Sequence, residues 1–460
     1  MTPLDGLGVL TAAEMRSAEQ AAMIGDVTEA SLMDRAGAAI AQAVARLAAG
    51  REVLVLCGPG NNGGDGYIAA AELKRRGLAV RVAASEAPRS DGARRVAAFW
   101  PDAVEALERA EPAPVLVDAI FGTGLSRSPS AVVEHALARL TDAAWLRIAV
   151  DLPTGIATDT GKVLGKTPRF DVTLALGAVK PSHLLQPAAS LMGQVRLLDI
   201  GVPTKSSARI LARPILPQPD ATSHKYNRGM VAIVAGSMSG ASELAALAAL
   251  RAGAGYVLHL ASGDVHASAA PHAIVRRNYT ADALNEDRIG AVVIGPGLGR
   301  DRDASDRLEA ALASGRALVI DGDALRLVAV ETLAMHDGPK ILTPHGGEFT
   351  HLFGEVTDDK LSATRRAARQ SGVVVVHKGA DTVIAAPDGR AILCPEASPW
   401  LSTAGTGDVL AGAIGAMLAA GLEPLAAAEA GVWLHAEAAR ACGKAFIADD
   451  LADALSAVRG

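Results

Sequence analysis

The chain has 460 residues, half of them hydrophobic but only 3% aromatic, with 44 basic against 50 acidic side chains and a formal charge of −6. That length exceeds what one hydrophobic core usually supports, so two domains are expected, and the balanced charge excludes a general attraction for nucleic acid or an anionic membrane. Three widely spaced cysteines, Cys57, Cys394 and Cys442, exclude a disulfide framework and a cysteine zinc site and fit a reducing, cytoplasmic setting.

A core of Ala, Val, Leu and Ile, with Gly at tight approaches, suits layered α/β packing. Asp5, Glu14 and Glu19 interrupt the N-terminus, which does not resemble a secretory signal. The best uncharged apolar run, from Val409 to Leu422, falls short of the roughly 18 residues a membrane-spanning helix needs.

Thr11 and Glu14 have capping-box spacing and predict a first helix. A second is expected over about 31–49, with Leu32, Ala36, Ile40, Ala43, Val44 and Leu47 on one face and Gly50 ending it. The run 52–57 predicts a buried strand, then a glycine-rich turn, then a helix from Tyr67 to about Arg76. Gly58, Gly60 and Gly63 satisfy the G-x-G-x-x-G dinucleotide fingerprint. Asn61, Asn62 and Asp65 are extra to it, and such oxygens could hold a polar substrate or a hard cation.

Two further strand ends carry carboxylates, Asp118 before a Gly-Thr-Gly turn and Asp151 before Leu-Pro-Thr-Gly. Ligands collect at the carboxyl ends of strands in an open parallel sheet, so Asp65, Asp118 and Asp151 are expected to converge on one crevice. Strands are also expected over 170–176 and 194–200. The proline-bearing stretch 201–227 marks a junction, with the boundary expected near 213.

Beyond it the strand-glycine-helix pattern restarts at 230–236 and recurs at 255–260, 291–299, 317–323 and 341–348, which implies a second parallel sheet. In 373–382 an apolar strand ends in Lys378-Gly-Ala-Asp-Thr382, suited to a nucleotide phosphate. In Gly405-Thr-Gly-Asp408 the amides of a helix start near Thr406 point at one spot beside a carboxylate, an anion site with a base in it.

Gly60-Asn-Asn-Gly-Gly-Asp-Gly-Tyr67, Asp118-Ala-Ile-Phe-Gly-Thr-Gly124 and Asp151-Leu-Pro-Thr-Gly155 with Asp159-Thr-Gly161 resemble the signature segments of NAD(P)H-hydrate epimerases, over about residues 10–203. The resemblance implies that Asn61, Asn62, Gly63, Gly64, Asp65 and the segment Gly122, Thr123, Gly124, Leu125, Ser126, Arg127 and Ser128 bind the hydrated dinucleotide. It makes Asp151 the substrate-binding acid/base and gives a potassium ion to Asn62, Asp118 and Thr154, the last standing where the family usually has Ser.

His224-Lys-Tyr-Asn-Arg-Gly229, Gly236-Ser237, Gly240-Ala241, Gly295-Pro-Gly-Leu-Gly299, Leu342-Thr-Pro-His-Gly-Gly-Glu348, Lys378-Gly-Ala-Asp-Thr382 and Gly405-Thr-Gly-Asp408 resemble the ADP-dependent NAD(P)H-hydrate dehydratases, over about 220–458. By that resemblance Ala241, Gly297, Gly299 and His345 meet the hydrate, Lys378, Gly379, Ala380, Asp381, Thr382 and Gly407 meet ADP with magnesium, and Asp408 is catalytic. Gly346 stands where the family usually has Pro.

The expectation is therefore two α/β domains: 1–213 Rossmann-like, three-layer αβα and epimerase; 214–460 ribokinase-like, αβα and dehydratase. Together they would interconvert R and S NADHX or NADPHX and return the S hydrate to NAD(P)H, with ADP yielding AMP and phosphate. The expected protein is a cytoplasmic homo-oligomer acting on small molecules. Three rivals stand beside this: a small-molecule kinase fused to a Rossmann-like binding module, an interaction module that lost its site, and a nicotinamide dehydrogenase resting on Gly58, Gly60 and Gly63.

Overall fold

Fully buried runs such as Val-Leu-Val-Leu-Cys and Met-Val-Ala-Ile-Val have no polar face, so they form strands covered on both sides, and the Ala-rich segments between them form the covering helices. The computed structural model describes residues 4–24, 27–262 and 270–460. It divides into two units, one ending at Ile210 and one starting at Leu211. The expected boundary lay three residues later. Ile210 exchanges backbone hydrogen bonds with Gly6 and Leu7, whereas the Leu211 N–H donates to Leu393, which explains the division there.

The first unit runs α1 (Ala12–Ala22), α2 (Glu29–Ala48), β1 (Val53–Cys57), α3 (Asn61–Arg75), β2 (Val80–Ala84), α4 (Asp91–Ala97), β3 (Val104–Ala106), β4 (Val115–Ala119), α5 (Ala131–Ala143), β5 (Leu146–Val150), β6 (Val172–Leu176), β7 (Gln194–Leu198) and β8 (Ala208–Ile210). Its sheet has the order β3-β2-β1-β4-β5-β6-β7 and is parallel throughout. One core cluster joins α2, α3 and one sheet face, including Ile40, Val44, Val55 and Leu73; a second joins α5 to the other face through Leu54, Leu116, Leu137 and Leu140. Thr11 caps α1 in the expected capping box with Glu14.

The chain order reverses at β1/β4, the place where such sheets bind ligands. There the loops after the two strands cross: a Cβ on Gly58 would fall 1.8 Å from the Ile120 carbonyl oxygen, and one on Gly63 would fall 1.9 Å from the Gly58 oxygen. The segment expected as a turn up to Gly66 is helical from Asn61 onward, because this contact with the crossing loop overrides the weak helix propensity of its glycines.

The second unit runs β9 (Met230–Val234), α6 (Ser239–Arg251), β10 (Tyr256–Ala261), β11 (Ile274–Asn278), β12 (Ile289–Ile294), α7 (Arg302–Ala313), β13 (Ala317–Ile320), α8 (Ala324–Leu327), β14 (Lys340–Leu342), α9 (Gly346–Phe353), α10 (Lys360–Ser371), β15 (Val374–His377), β16 (Val383–Ala385), β17 (Ala391–Leu393), α11 (Thr406–Ala419), α12 (Pro424–Cys442) and α13 (Ala448–Val458). Its strands follow the order β11-β10-β9-β12-β13-β14-β15-β16-β17. The sheet is parallel up to β15, but β15, β16 and β17 are antiparallel, which the expected all-parallel sheet did not include. The Lys378 segment is thus a short hairpin connection rather than a crossover. Helices α6, α11, α12 and α13 pack through small residues, and a Cβ on Gly412 of α11 would lie 2.1 Å from the Ala245 oxygen of α6. The reversal point here is β9/β12, where Gly236 repeats the device of Gly58: its Cβ would lie 2.0 Å from the Leu298 oxygen.

Candidate active sites

In the first unit a cavity of about 440 Å³ opens beside the strand ends. Asn61, Asn62, Asp65, Thr123, Asp151 and Lys180 line it, with Arg16 and Glu19 of α1 and Glu29 of α2. Of the expected sites, the Gly122–Ser128 segment contributes Thr123 to the wall. Gly122 lies behind it, buried, where a Cβ would come within 3.0 Å of both Asp151 Oδ2 and Asn62 Oδ1.

Asp151 directly follows β5 with a left-handed backbone, φ 62°, rare for a residue with a side chain. The segment just after β6 fixes it there. Lys180 Nζ donates to Asp151 Oδ1 and to the Leu176 carbonyl, each at 2.6 Å. The Lys180 N–H donates to His183 Nδ1 at 2.9 Å, so the ring proton is on Nε2, which donates to the Asp151 carbonyl at 2.7 Å. Thr123 N and Oγ1 both donate to Asp151 Oδ2 at 2.7 Å. Burial pushes the Asp151 carboxyl up, but the Lys180 ammonium and the hydrogen bonds from Lys180 and Thr123 outweigh it and bring it to about 2. Burial holds His183 neutral, at about 4.

Asp65 shows the opposite balance. Burial, then the charges of Asp151 and Glu19, raise it well above the usual carboxyl range, against a smaller pull from Lys180. The crevice therefore holds Asp65 and Asp151 as expected, but Asp118 is not on the cavity wall. It is fully buried one strand away, with Oδ1 accepting from Ile120 N at 3.1 Å and Thr154 Oγ1 at 2.8 Å, and Oδ2 from Thr154 N at 2.9 Å. Burial raises Asp118 to about 6 even with those bonds. Among the described residues the hydrogen-bond partners of buried Asp118 are neutral donors, and its oxygens and the Thr154 hydroxyl are of the hard type that a cation takes.

In the second unit a cavity of about 430 Å³ is lined by Lys378, Gly379, Ala380, Thr382, Cys394, Thr406, Gly407 and His435, among others. Five of the six residues assigned to ADP are among them. The sixth, Asp381, turns away: its Oδ1 takes Lys360 Nζ at 2.6 Å, and the same ammonium reaches the Lys378 carbonyl at 3.3 Å, so the pair braces the hairpin. Neutral His435, at about 4 through burial, lies 2.9 Å from the Thr406 carbonyl and fixes the entry to α11.

Asp408 sits in the first turn of α11, where it is raised to about 7 by burial first, then by the charge of Asp321, with Lys378 pulling the other way. Lys378 Nζ meets Asp321 Oδ1 at 2.6 Å, and Thr343 Oγ1 meets the same oxygen at 2.7 Å. Buried Glu348 belongs to this cluster, raised by burial against the pull of Lys378. Gly297 packs on Ala241, where a Cβ on the glycine would lie 3.1 Å from the alanine's, and Gly299 N donates to Asp323 Oδ2 at 3.0 Å. This loop is tied to the cluster because Gly295 abuts Asp321: a Cβ there would be 1.7 Å from the Asp321 oxygen. His345 caps α9, its Nδ1 accepting from Gly347 N at 3.0 Å and Glu348 N at 3.4 Å, while Glu348 Oε2 accepts from His345 N at 2.8 Å.

Sequence reasoning missed Lys180, His183, Glu19, Asp321, Asp323 and Glu348. Lys180 had a signal: a lone cation in the apolar stretch after β6, directly before Pro181. Asp321 and Asp323 ended a strand that was recognised only as a strand, and Glu348 stands three residues after His345, the spacing of a capping box.

A family described as NAD(P)H-hydrate dehydratase matches residues 231–458, and one described as YjeF-related protein N-terminus matches residues 29–182. A bifunctional NAD(P)H-hydrate repair enzyme of Moorella thermoacetica is 35% identical over 97% of this chain and 96% of its own length. One of Escherichia coli is 34% identical over 92% of this chain and 87% of its own. A solved ribokinase-like superfamily protein of Enterococcus faecalis is 24% identical, covers 55% of this chain and 95% of its own, and superimposes with a TM-score of 0.50, a likeness of fold.

Proposed function

The chain belongs to the bifunctional NAD(P)H-hydrate repair enzymes, and from that premise we propose how its residues divide the work. As an enzyme it epimerises the R and S hydrates of NAD(P)H and dehydrates the S form to NAD(P)H. The observation that carries the residue assignment is that each unit places a buried aspartate paired with a lysine just beyond the carboxyl ends of parallel strands, Asp151 after β5 with Lys180 after β6, and Asp321 after β13 with Lys378 after β15.

In the second unit, ADP lies along the Lys378–Thr382 hairpin with its phosphates at the α11 N-terminus, where the first-turn amides and Lys378 face the transferring phosphoryl group. Asp408 takes the proton of the ring hydroxyl as its oxygen attacks the terminal phosphorus and the bond to AMP breaks. The C–O bond of the new phosphoester then breaks, phosphate leaves, and the neighbouring ring carbon gives its proton to solvent water as its C–H pair forms the restored double bond. Asp408 suits this because it is near half-ionised at neutral pH. Ala241, Gly297, Gly299 and His345 hold the hydrate beside it.

Magnesium bound with the nucleotide would neutralise phosphate charge. Asp321 Oδ2 accepts no hydrogen bond among the described residues and lies 3.9 Å from where a Cβ on Gly407 would be, so it would offer the ion a hard oxygen ligand. No cluster of three His, Cys, Asp or Glu suited to a metal occurs among the described residues, in keeping with an ion held mainly by phosphates. In the first unit Asn62, Asp118 and Thr154 would hold potassium, whose charge would organise the oxygens under the cavity. Asp151 and its neighbours bind the hydrated ring.

The proposal includes a cytoplasmic setting, which three free cysteines favour, and a homo-oligomer, which light scattering tests. No helix among the described residues is long and apolar enough to cross a membrane.

The test of function uses a mixture of R and S hydrates of NADH with ADP and magnesium, following reduced-nicotinamide absorbance. Wild type should consume both epimers, Asp408→Asn neither, and Asp151→Asn the S fraction followed only by slow spontaneous epimerisation. Release of a phosphorylated dinucleotide instead of free phosphate would establish the kinase rival.

A further inference from the structure

Asp65 and Asp151 line one cavity in opposite conditions. Both oxygens of Asp151 are occupied, Oδ1 by Lys180 and Oδ2 by the two donors of Thr123. Lys180 is 1% exposed, so a proton accepted by Asp151 would strand a buried ammonium. Asp65 is 9% exposed, projects from the second turn of α3, and has no hydrogen-bond partner among the described residues. A buried carboxyl left unpaired in a binding cavity is costly unless it keeps its proton or spends it on a ligand.

We infer that Asp65, rather than Asp151, is the carboxyl that transfers the proton in epimerisation, while the Asp151–Lys180 pair is the fixed charge beside it. This rests on the epimerase function of the first unit. The groups facing Asp65 are Glu19 from α1, Asp151 after β5 and Lys180 after β6, with Arg16 and Glu29 completing the charged lining. Burial and the two neighbouring carboxylates shift Asp65 toward its protonated form.

Water adds to the enamine of a reduced nicotinamide ring with its oxygen on the carbon next to nitrogen, so the hydroxyl-bearing carbon is bonded to the ring nitrogen. Protonated Asp65 gives its proton to that hydroxyl oxygen, the carbon–oxygen bond breaks, and the nitrogen lone pair forms the carbon–nitrogen double bond of an iminium ion. Water leaves, and the new Asp65 carboxylate faces the cation. Water then adds to the other face, the double-bond pair returns to nitrogen, and the surplus proton returns to Asp65. The group ends as it began, and only the configuration has changed.

The test omits nucleotide so that the dehydratase half is idle, and follows the R to S conversion of pure R hydrate of NADH by chromatography on the full chain. Asp65→Asn keeps the side chain's size and removes its proton. It should lower kcat by about 100-fold or more with KM unchanged. Wild type should lose rate as pH rises through the raised Asp65 value, a limb absent from Asp65→Asn and restored in part by Asp65→Glu. An unchanged near-UV spectrum and unchanged dehydration of S hydrate with ADP show that both units are intact. Epimerisation by Asp65→Asn within about threefold of wild type, or a raised KM with kcat kept, overturns the inference and leaves Asp65 a binding contact. A wild type that fails to interconvert the epimers removes the epimerase function itself, a distinct result.

Discussion

Lys378 Nζ lies 2.6 Å from Asp321 Oδ1, and this pair sets the charge that Asp408 experiences. Asp321 raises the Asp408 carboxyl and Lys378 lowers it, leaving burial to bring it to about 7. The two members of one ion pair therefore act on the base in opposite directions.

That opposition gives a signed pH prediction. Asp408 must be ionised to take the hydroxyl proton, so kcat/KM for the S hydrate falls as pH drops through about 7. Asp321→Asn should move this acid limb to lower pH, and Lys378→Met should move it higher while weakening nucleotide binding. A limb that Asp321→Asn leaves in place would dissociate it from Asp408. Stability runs the other way. A carboxyl raised in the folded state binds more protons there, so the second unit loses stability as pH rises from about 4 to about 7.

Lys180→Met tests the other ion pair. It leaves Asp151 buried with its strongest donor gone and should cost about 3–5 kcal/mol at neutral pH in urea unfolding. Lys180→Met combined with Asp151→Leu removes both charges and should recover most of that loss without recovering epimerisation. In the wild type Asp151 is lowered to about 2, so its contribution is present above about 4 and is lost as pH falls toward 2. A double variant no more stable than the single one would mean that packing around Lys180, not charge, carries the effect.

How far the sequence led can be read from these residues. Asp151 and Asp408 were visible because each follows or begins an element whose apolar pattern is unambiguous, and chemistry at strand ends needs no distant partner to be noticed. Lys180 and Asp321 act through bonds to residues 29 and 57 positions away, a relation only the folded sheet creates. The helical start at Asn61 was hidden for a different reason. Its glycines read locally as a turn, and only the crossing of the Gly58 and Ile120 loops makes them a helix. The β15–β17 hairpins were missed because their three- and four-residue strands are too short to show a period.

Asp118 should report the cation. Among the described residues its hydrogen-bond partners are neutral, so a monovalent ion would supply the missing positive charge. Epimerisation should rise with potassium chloride at constant ionic strength in the wild type, and Asp118→Asn should abolish that dependence. Thr154→Ser, which keeps the hydroxyl, should retain it. Equal response of wild type and Asp118→Asn to potassium would place the ion elsewhere.

Gly346 offers a test on the stability side, because the backbone around it would accept proline. It is the first residue of α9, its N–H makes no hydrogen bond among the described residues, and a Cβ there would meet nothing within 4 Å. His345 before it is extended, φ −78° and ψ 172°, a conformation that a following proline tolerates. Proline at a first helical position forfeits only an N–H that has no intrahelical partner. Gly346→Pro should therefore stabilise the second unit by about 0.4–1 kcal/mol, chiefly by restricting the unfolded chain. The His345 ring keeps its Gly347 and Glu348 donors, so KM for the S hydrate should not change. A destabilised variant would show that the glycine is needed for its backbone, and a lowered KM would show that the wild-type loop leaves His345 less ordered than its cap geometry implies.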